Sequence, residues 1–227
     1  MFEFVLLIFS LTVHECAHAW VASLLGDQTA RLQGRVTLNP AYHIDLLGTI
    51  LLPALMIFGP LFGFGLGSVL FGWAKPTPVI SRNFRKIVRD ENLVTLAGPA
   101  SNLLIALAAL IVLIVISLTV PGGHDLVLST FAGGLALGVQ SNTQAVILLA
   151  TLAILVNLSL FFFNLLPVPP LDGSHLLRNM LPYKAVQAYD RVPIWLSWIL
   201  MILVGGFIIR LFLGPSMHAV YAVLHLM

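Results

Sequence analysis

Residues 14–18 read His-Glu-Cys-Ala-His, an H-E-x-x-H motif inside an otherwise apolar run. On an α-helix, side chains four apart project from one face, so the imidazoles of His14 and His18 can reach a single metal ion. Glu15 lies about 100° round such a helix from His14, close enough to act on a water beside the ion without being a ligand. The chemistry this points to is metal-assisted hydrolysis. The competing reading is a pair of packing histidines. It is the weaker one, because three ionisable groups this close together at membrane depth cost several kcal/mol unless they serve a function. Cys16, the chain's single cysteine, reads as a packing residue and cannot form an intramolecular disulfide.

A catalytic zinc takes three protein ligands and keeps one position open, so a third ligand must come from elsewhere. Asp172 is a candidate because it follows directly on a long apolar segment, in the run Asn164-Leu-Leu-Pro-Val-Pro-Pro-Leu-Asp172-Gly173. Pro167, Pro169 and Pro170 forbid a regular helix there, which exposes backbone polar groups and lets a short carboxylate turn inward. Taken alone, an Asp-Gly after prolines reads as a turn. Glu91, beside the third apolar segment, is the alternative carboxylate, and Glu3 is the remaining glutamate.

The elements that must position these groups belong to a membrane protein. The chain has 227 residues, 59% of them hydrophobic and only 9% charged, with a mean hydropathy of +1.01. A soluble domain carries roughly 25% charged residues, so an ordinary cytosolic domain is excluded. The formal net charge of +2 is too small to make nucleic acid a partner. Apolar stretches long enough to span a bilayer run over Phe2–Leu25, Leu46–Trp73, about Leu93–Val120, Ala145–Val168 and Ile194–Leu213. The first lacks a basic n-region and carries three ionisable residues, so it reads as a retained helix rather than a signal peptide.

Lys and Arg placement orients the chain, since basic loops stay in the cytoplasm. Arg31 and Arg35, then Lys75, Arg82, Arg85, Lys86 and Arg89, then Arg178, Lys184 and Arg191 mark the inner loops. The 121–144 loop has no basic residue and is expected outside, as is the N-terminus. The first and fourth segments then both run inward, bringing His14, His18 and Asp172 to a similar depth. Both loops flanking 46–72 are basic, so that segment should enter and leave on one face. Its Phe58–Gly67 stretch has the Pro and Gly for a turn at depth, which predicts a re-entrant or tightly paired hairpin. Between the first two segments, residues 30–38 alternate apolar Leu32, Val36 and Leu38 with polar Arg31, Gln33, Arg35 and Thr37, the period of a short β element.

With these residues in view, the sequence resembles the site-2 protease family of intramembrane zinc metalloproteases. The resemblance rests on HECAH at 14–18, NLLPVPPLDG at 164–173, and Gly98-Pro99-Ala100-Ser101-Asn102. The stretches NPAYHIDLLGTILLP (39–53) and FGWAKPTPV (71–79) also look like the short bacterial and archaeal members. The resemblance implies His14, His18 and Asp172 as Zn2+ ligands and Glu15 as the catalytic acid/base. It further implies that Asn164 lines the active site, helping to bind the substrate backbone or oxyanion, and gives Asn102 a place in the substrate-binding machinery. Larger relatives carry a PDZ or a CBS domain, for which this chain has no room. Recognition is therefore expected to fall on the membrane helices or on a separate regulatory or adaptor protein.

The expected fold is an all-α polytopic membrane protein, one domain over 1–227 with its core in 1–175 and a C-terminal helix region in 176–227. It would have about four full transmembrane helices, the 46–72 hairpin and the 30–38 β element. The expected function is peptide-bond hydrolysis in or near transmembrane segments of membrane proteins. Arg35 and Val36 would offer an edge strand to an extended substrate. The expected location is a prokaryotic inner membrane, N-terminus outside, with the active site towards the cytoplasm. Two other readings stand beside it: a prenyl-protein type of metalloprotease with a glutamate ligand, and a metal transporter or scaffold without peptidase activity. Among the remaining histidines, His43 and His175 are expected in solvated or helix-capping roles, and His124, His218 and His225 near the interface. Asn157, seven residues before Asn164, reads as packing glue between helices.

Overall fold

The structure is a computed structural model that describes residues 2–51, 54–55, 73–131, 141–201 and 206–226. Three helices among the described residues are long and apolar enough to cross a membrane. They are α1 (Phe2–Leu25), α3 (Ile87–Thr119) and α5 (Asn142–Asn164). Short helices lie between and after them: α2 (Thr29–Leu32), α4 (Gly123–Phe131), α6 (Asp172–Met180), α7 (Tyr183–Tyr189) and α8 (Ile194–Leu200). The last is α9 (Gly206–His225).

Local chemistry sets the ends of the spans. Asp90, in the first turn of α3, accepts the backbone N–H of Lys86 at 2.9 Å, placing a negative charge where the helix dipole favours it. Ser141 caps α5 by accepting from the Gln144 N–H at 3.1 Å. At its other end α5 stops at Asn164, three residues before the first proline of the 167–170 run.

The bundle core forms where α3 meets α5. Ala106, Ala109 and Leu113 pack against Ile147, Ala150, Ala153 and Ile154, all buried. Small alanines let the two backbones approach closely, the usual route to helix pairing where lipid offers no hydrophobic contrast. The opposite face of α3 carries Leu104, Leu107, Ile111, Val115 and Leu118, all exposed, Leu104 by 65%. These recur every three or four residues and form a stripe suited to acyl chains.

Several expectations are corrected. Residues 30–38 form no strand: Thr29–Leu32 is a helical turn and a bend follows. The alternating pattern loses to local bonds. Asp27 accepts both the N–H and the hydroxyl of Thr29, starting the turn, and Gly34 ends it with φ +71°. Of the expected four full spans, three are found among the described residues. The Ile194–Leu213 segment holds α8 and the start of α9, and residues 202–205 between them lie outside the described residues. His43 is not solvated: it is 2% exposed and bonds the Thr37 carbonyl through Nε2 at 2.9 Å, while its backbone N–H, bonded to Pro40 O, caps the helical turn at Pro40–Tyr42. The hairpin expected over 46–72 lies mostly outside the described residues. Its flanks meet, however: Trp73 N–H donates to Gly48 O, the Thr49 hydroxyl to Trp73 O, and Lys75 N–H to His43 O.

Beyond α1, Asp27 knots two loops together. Its buried carboxylate accepts from Ile80 N–H, the Asn83 amide and Thr29. Burial alone would raise its pKa, but the bonds from Ile80, Thr29 and Asn83 outweigh that and hold it below the ordinary 3.8. A depressed folded-state pKa means that this stabilisation is complete above about pH 4 and is lost as acid protonates the folded carboxylate. In thermal unfolding followed in detergent, wild type should therefore lose stability below about pH 4. Asp27→Asn, already weaker by roughly 1.5–3 kcal/mol at neutral pH, should lose less; parallel pH profiles for the two would contradict this account.

Candidate metal centre

Helical periodicity does at α1 what the motif spacing predicts. His14 and His18 stack edge to face with ring centroids 4.7 Å apart, and their Nε2 atoms lie 3.0 Å apart. Asp172, the first residue of α6, reaches the same point: its Oδ2 is 3.1 Å from His14 Nε2 and 3.5 Å from His18 Nε2. These three residues form the candidate metal group found among the described residues.

The protonation of the rings follows from their outer partners. His18 Nδ1 lies 2.7 Å from the Val94 carbonyl, which can only accept, so Nδ1 carries the hydrogen and in the neutral ring Nε2 keeps a lone pair. His14 Nδ1 lies 2.6 Å from Asn102 Oδ1, with the same result. Three lone-pair atoms thus converge in a buried place, and Asp172 Oδ2 has no hydrogen-bond partner. Without a cation such a triangle is repulsive. Around tetrahedral zinc with bonds of about 2.0–2.1 Å, neighbouring ligand atoms sit about 3.3 Å apart. The observed 3.0, 3.1 and 3.5 Å edges bracket that value, so the residues fit the ion.

The centre opens on a cavity of about 620 Å³. Glu15 and Asn164 line it, as do Thr77, Glu91, Asp172 and His175. Glu15 is held by the extended 73–80 segment: its Oε2 accepts from Thr77 N–H at 2.9 Å and from the Thr77 hydroxyl at 2.8 Å. Pro76 and Pro78 have no N–H, so the one amide donor in that tripeptide goes to the glutamate. Asn164 gives one amide hydrogen to the Leu160 carbonyl at 2.9 Å and has a second to offer. Glu91 is on the cavity wall but turned towards Ser81 and Asn179, at 3.3 and 3.4 Å. The carboxylate beside the imidazoles is Asp172's. The loop that delivers it is tied down by Tyr189, whose hydroxyl donates to Pro167 O at 3.1 Å.

Other candidates lie apart from the cavity. Asn102 is fully buried behind His14 and touches the ligand rather than the cavity. Arg35 is buried with its guanidinium on the Tyr42 carbonyl, and Val36 is half-exposed outside the cavity lining. Thr77 and Val94 escaped the motif reading. Thr77 carries only the weak signal of a lone N–H between prolines, and Val94 acts through a carbonyl that any residue would supply.

Residues 2–206 match the model of Peptidase family M50. The chain belongs to that family. Its members are zinc metalloproteases, also called the site-2 protease family, and with three apolar helices this M50 chain is an integral membrane protein. Over 176 residues it is 40% identical to "Putative zinc metalloprotease YwhC" of Bacillus subtilis, spanning 78% of this chain and 67% of that one. Over 197 residues it is 29% identical to "Putative zinc metalloprotease Rip2" of Mycolicibacterium smegmatis, spanning 86% and 63%. The chain thus spans about two thirds of the length of these relatives. No solved structure matches it.

Gly98 of α3 closes the centre from the third side. A Cβ there would collide with the Nε2 atoms of both His14 and His18. Gly98→Ala should push the imidazoles aside and lower zinc affinity by roughly 10-fold or more. Alanine's better helix preference, about 1 kcal/mol, offsets part of the overpacking cost of about 1–3 kcal/mol, so the fold should survive. Zinc stoichiometry and thermal unfolding measured on one preparation check this; full zinc occupancy in the variant would refute the packing argument.

Proposed function

We propose that this M50 chain is an intramembrane zinc endopeptidase that hydrolyses peptide bonds in or near the transmembrane segments of other membrane proteins. The observation that carries the reading is the convergence of His14 Nε2, His18 Nε2 and Asp172 Oδ2 beside a cavity that Glu15 also lines. His14, His18 and Asp172 would hold the zinc. Bound there, zinc supplies a Lewis acid that polarises the scissile carbonyl and acidifies water. Glu15 takes the proton from the attacking water and hands it to the leaving amine, and Thr77 keeps its carboxylate from swinging away. Asn164 turns its second amide hydrogen to the developing oxyanion. Asn102 acts behind His14, and no part in substrate binding is assigned to Arg35 or Val36.

The substrate must present an extended segment, since a helix hides its carbonyls in its own hydrogen bonds. An orientation with the N-terminus outside is supported by where the basic residues fall. The segments bearing Arg31 and Arg35, Lys75 to Arg89, and Arg178 are joined by bonds between Asp27 and Ile80, His43 and Lys75, and Asn179 and Asn92 at one end of the bundle. His18 lies seven residues from the α1 end at Leu25, about 10 Å along the axis. Water therefore has a short path from the cytoplasmic face.

Zinc content and cleavage of a panel of single-span membrane peptides, measured in detergent, test the reading. Wild type should bind zinc and cut. Glu15→Gln should keep zinc while turnover falls roughly 10²–10⁴-fold, and Asp172→Asn should lose zinc affinity. If all three hold zinc equally and none cuts, Asp172 is not a ligand and a transporter or scaffold takes precedence.

A further inference from the structure

His14 and His18 must both present a bare Nε2 to the ion, yet the two rings are set by different means. His18 takes its tautomer in one step from a main-chain carbonyl, Val94 O. His14 faces a side-chain amide, and an amide has two ends. With Oδ1 towards the ring, as here at 2.6 Å, Nδ1 carries the hydrogen and Nε2 is free. With the NH₂ towards the ring, Nδ1 would accept and the hydrogen of the neutral imidazole would move to Nε2, pointing into the centre where it blocks coordination. The shape of Asn102 is almost the same either way round.

What breaks the symmetry is Asn157. Its Oδ1 accepts from Asn102 Nδ2 at 2.9 Å, and its own Nδ2 donates to the Ala153 carbonyl at 2.9 Å. That carbonyl can only accept, so it fixes the direction of Asn157, which fixes Asn102, which fixes His14. Neither asparagine exposes any surface, so no water can stand in for a missing partner. The chain of bonds crosses all three spans: α5 holds Asn157, α3 holds Asn102 and α1 holds His14.

We propose that Asn157 is a positioning residue of the metal centre, acting through Asn102 to hold His14 in the tautomer that binds the ion. The proposal rests on the zinc centre assigned above. It differs from simple interhelical glue in one respect: glue contributes the same whatever stands at 102, whereas a direction-setting partner matters only while residue 102 has two unlike ends. Asn102→Asp removes that difference, because both carboxylate oxygens accept.

The test uses the zinc-loaded protein in detergent, challenged with graded chelator. Wild type, Asn157→Leu, Asn102→Asp and the double variant are compared by zinc retained. Asn157→Leu should weaken zinc binding by roughly 10–100-fold, the usual range for losing an outer partner of a metal ligand. In the Asn102→Asp background the same change should cost less than about threefold. Zinc binding of Asn157→Leu within about twofold of wild type, or an equal loss in both backgrounds, overturns the proposal. Asn157→Asp guards against misfolding of the leucine variant. A carboxyl kept neutral by burial still donates to Ala153 and accepts from Asn102, so zinc binding should stay within about threefold of wild type. A loss of about tenfold or more there overturns the proposal too. A wild type that holds no zinc would instead overturn the centre itself, an outcome distinct from a zinc-binding wild type indifferent to Asn157.

Discussion

Three acceptor atoms pointing at one another inside a membrane protein make up the constraint on which this structure turns. In water, lone pairs 3.0–3.5 Å apart would be separated by solvent hydrogens. Here all three side chains are largely buried, solvent reaches them from the cavity side alone, and the lower effective dielectric magnifies the repulsion. A divalent cation converts that repulsion into the strongest local attraction in the molecule. Much of the surrounding architecture keeps the three atoms aimed at one point.

That architecture draws on all three long helices. α1 brings both imidazoles, α3 brings Val94, Gly98 and Asn102 behind and beside them, and the end of α5 leads through the prolines to Asp172. The alanine seam between α3 and α5 sets how closely those two helices lie, and so also sets the reach from Asn157 to Asn102. Packing and chemistry share the same few turns. The Glu15 carboxylate is the exception, being steadied by the extended 73–80 segment rather than by a helix.

Legibility in the sequence followed from how directly spacing becomes geometry. His14, Glu15 and His18 could be read because a helix of fixed pitch converts four residues into one face. Asp172 alone reads as a turn after prolines; it could be read as a candidate because the first and fourth segments run the same way and bring it to the depth of the histidines. The 30–38 alternation misled because its period is only a preference, and the Asp27 carboxylate with Gly34 made a tighter local offer. His43 looked like a loop residue, but it is buried by contacts with chain remote in sequence, as Lys75 N–H on its carbonyl shows. Thr77 lies 62 residues from Glu15 and its role depends on a distance that no local pattern encodes. Asn157 was visible as a polar residue in an apolar helix, but the direction of its amide was not.

The bond from His18 to the Val94 carbonyl bears on how this centre can change over time. A main-chain carbonyl is present whatever amino acid occupies position 94, so drift there leaves the orientation of His18 untouched while the helix persists. His14 has no such insurance, since its orientation is handed along two side chains that a single nucleotide change can replace. The two histidines face the same point and are unequal in heredity: one is anchored to the polymer, the other to the text.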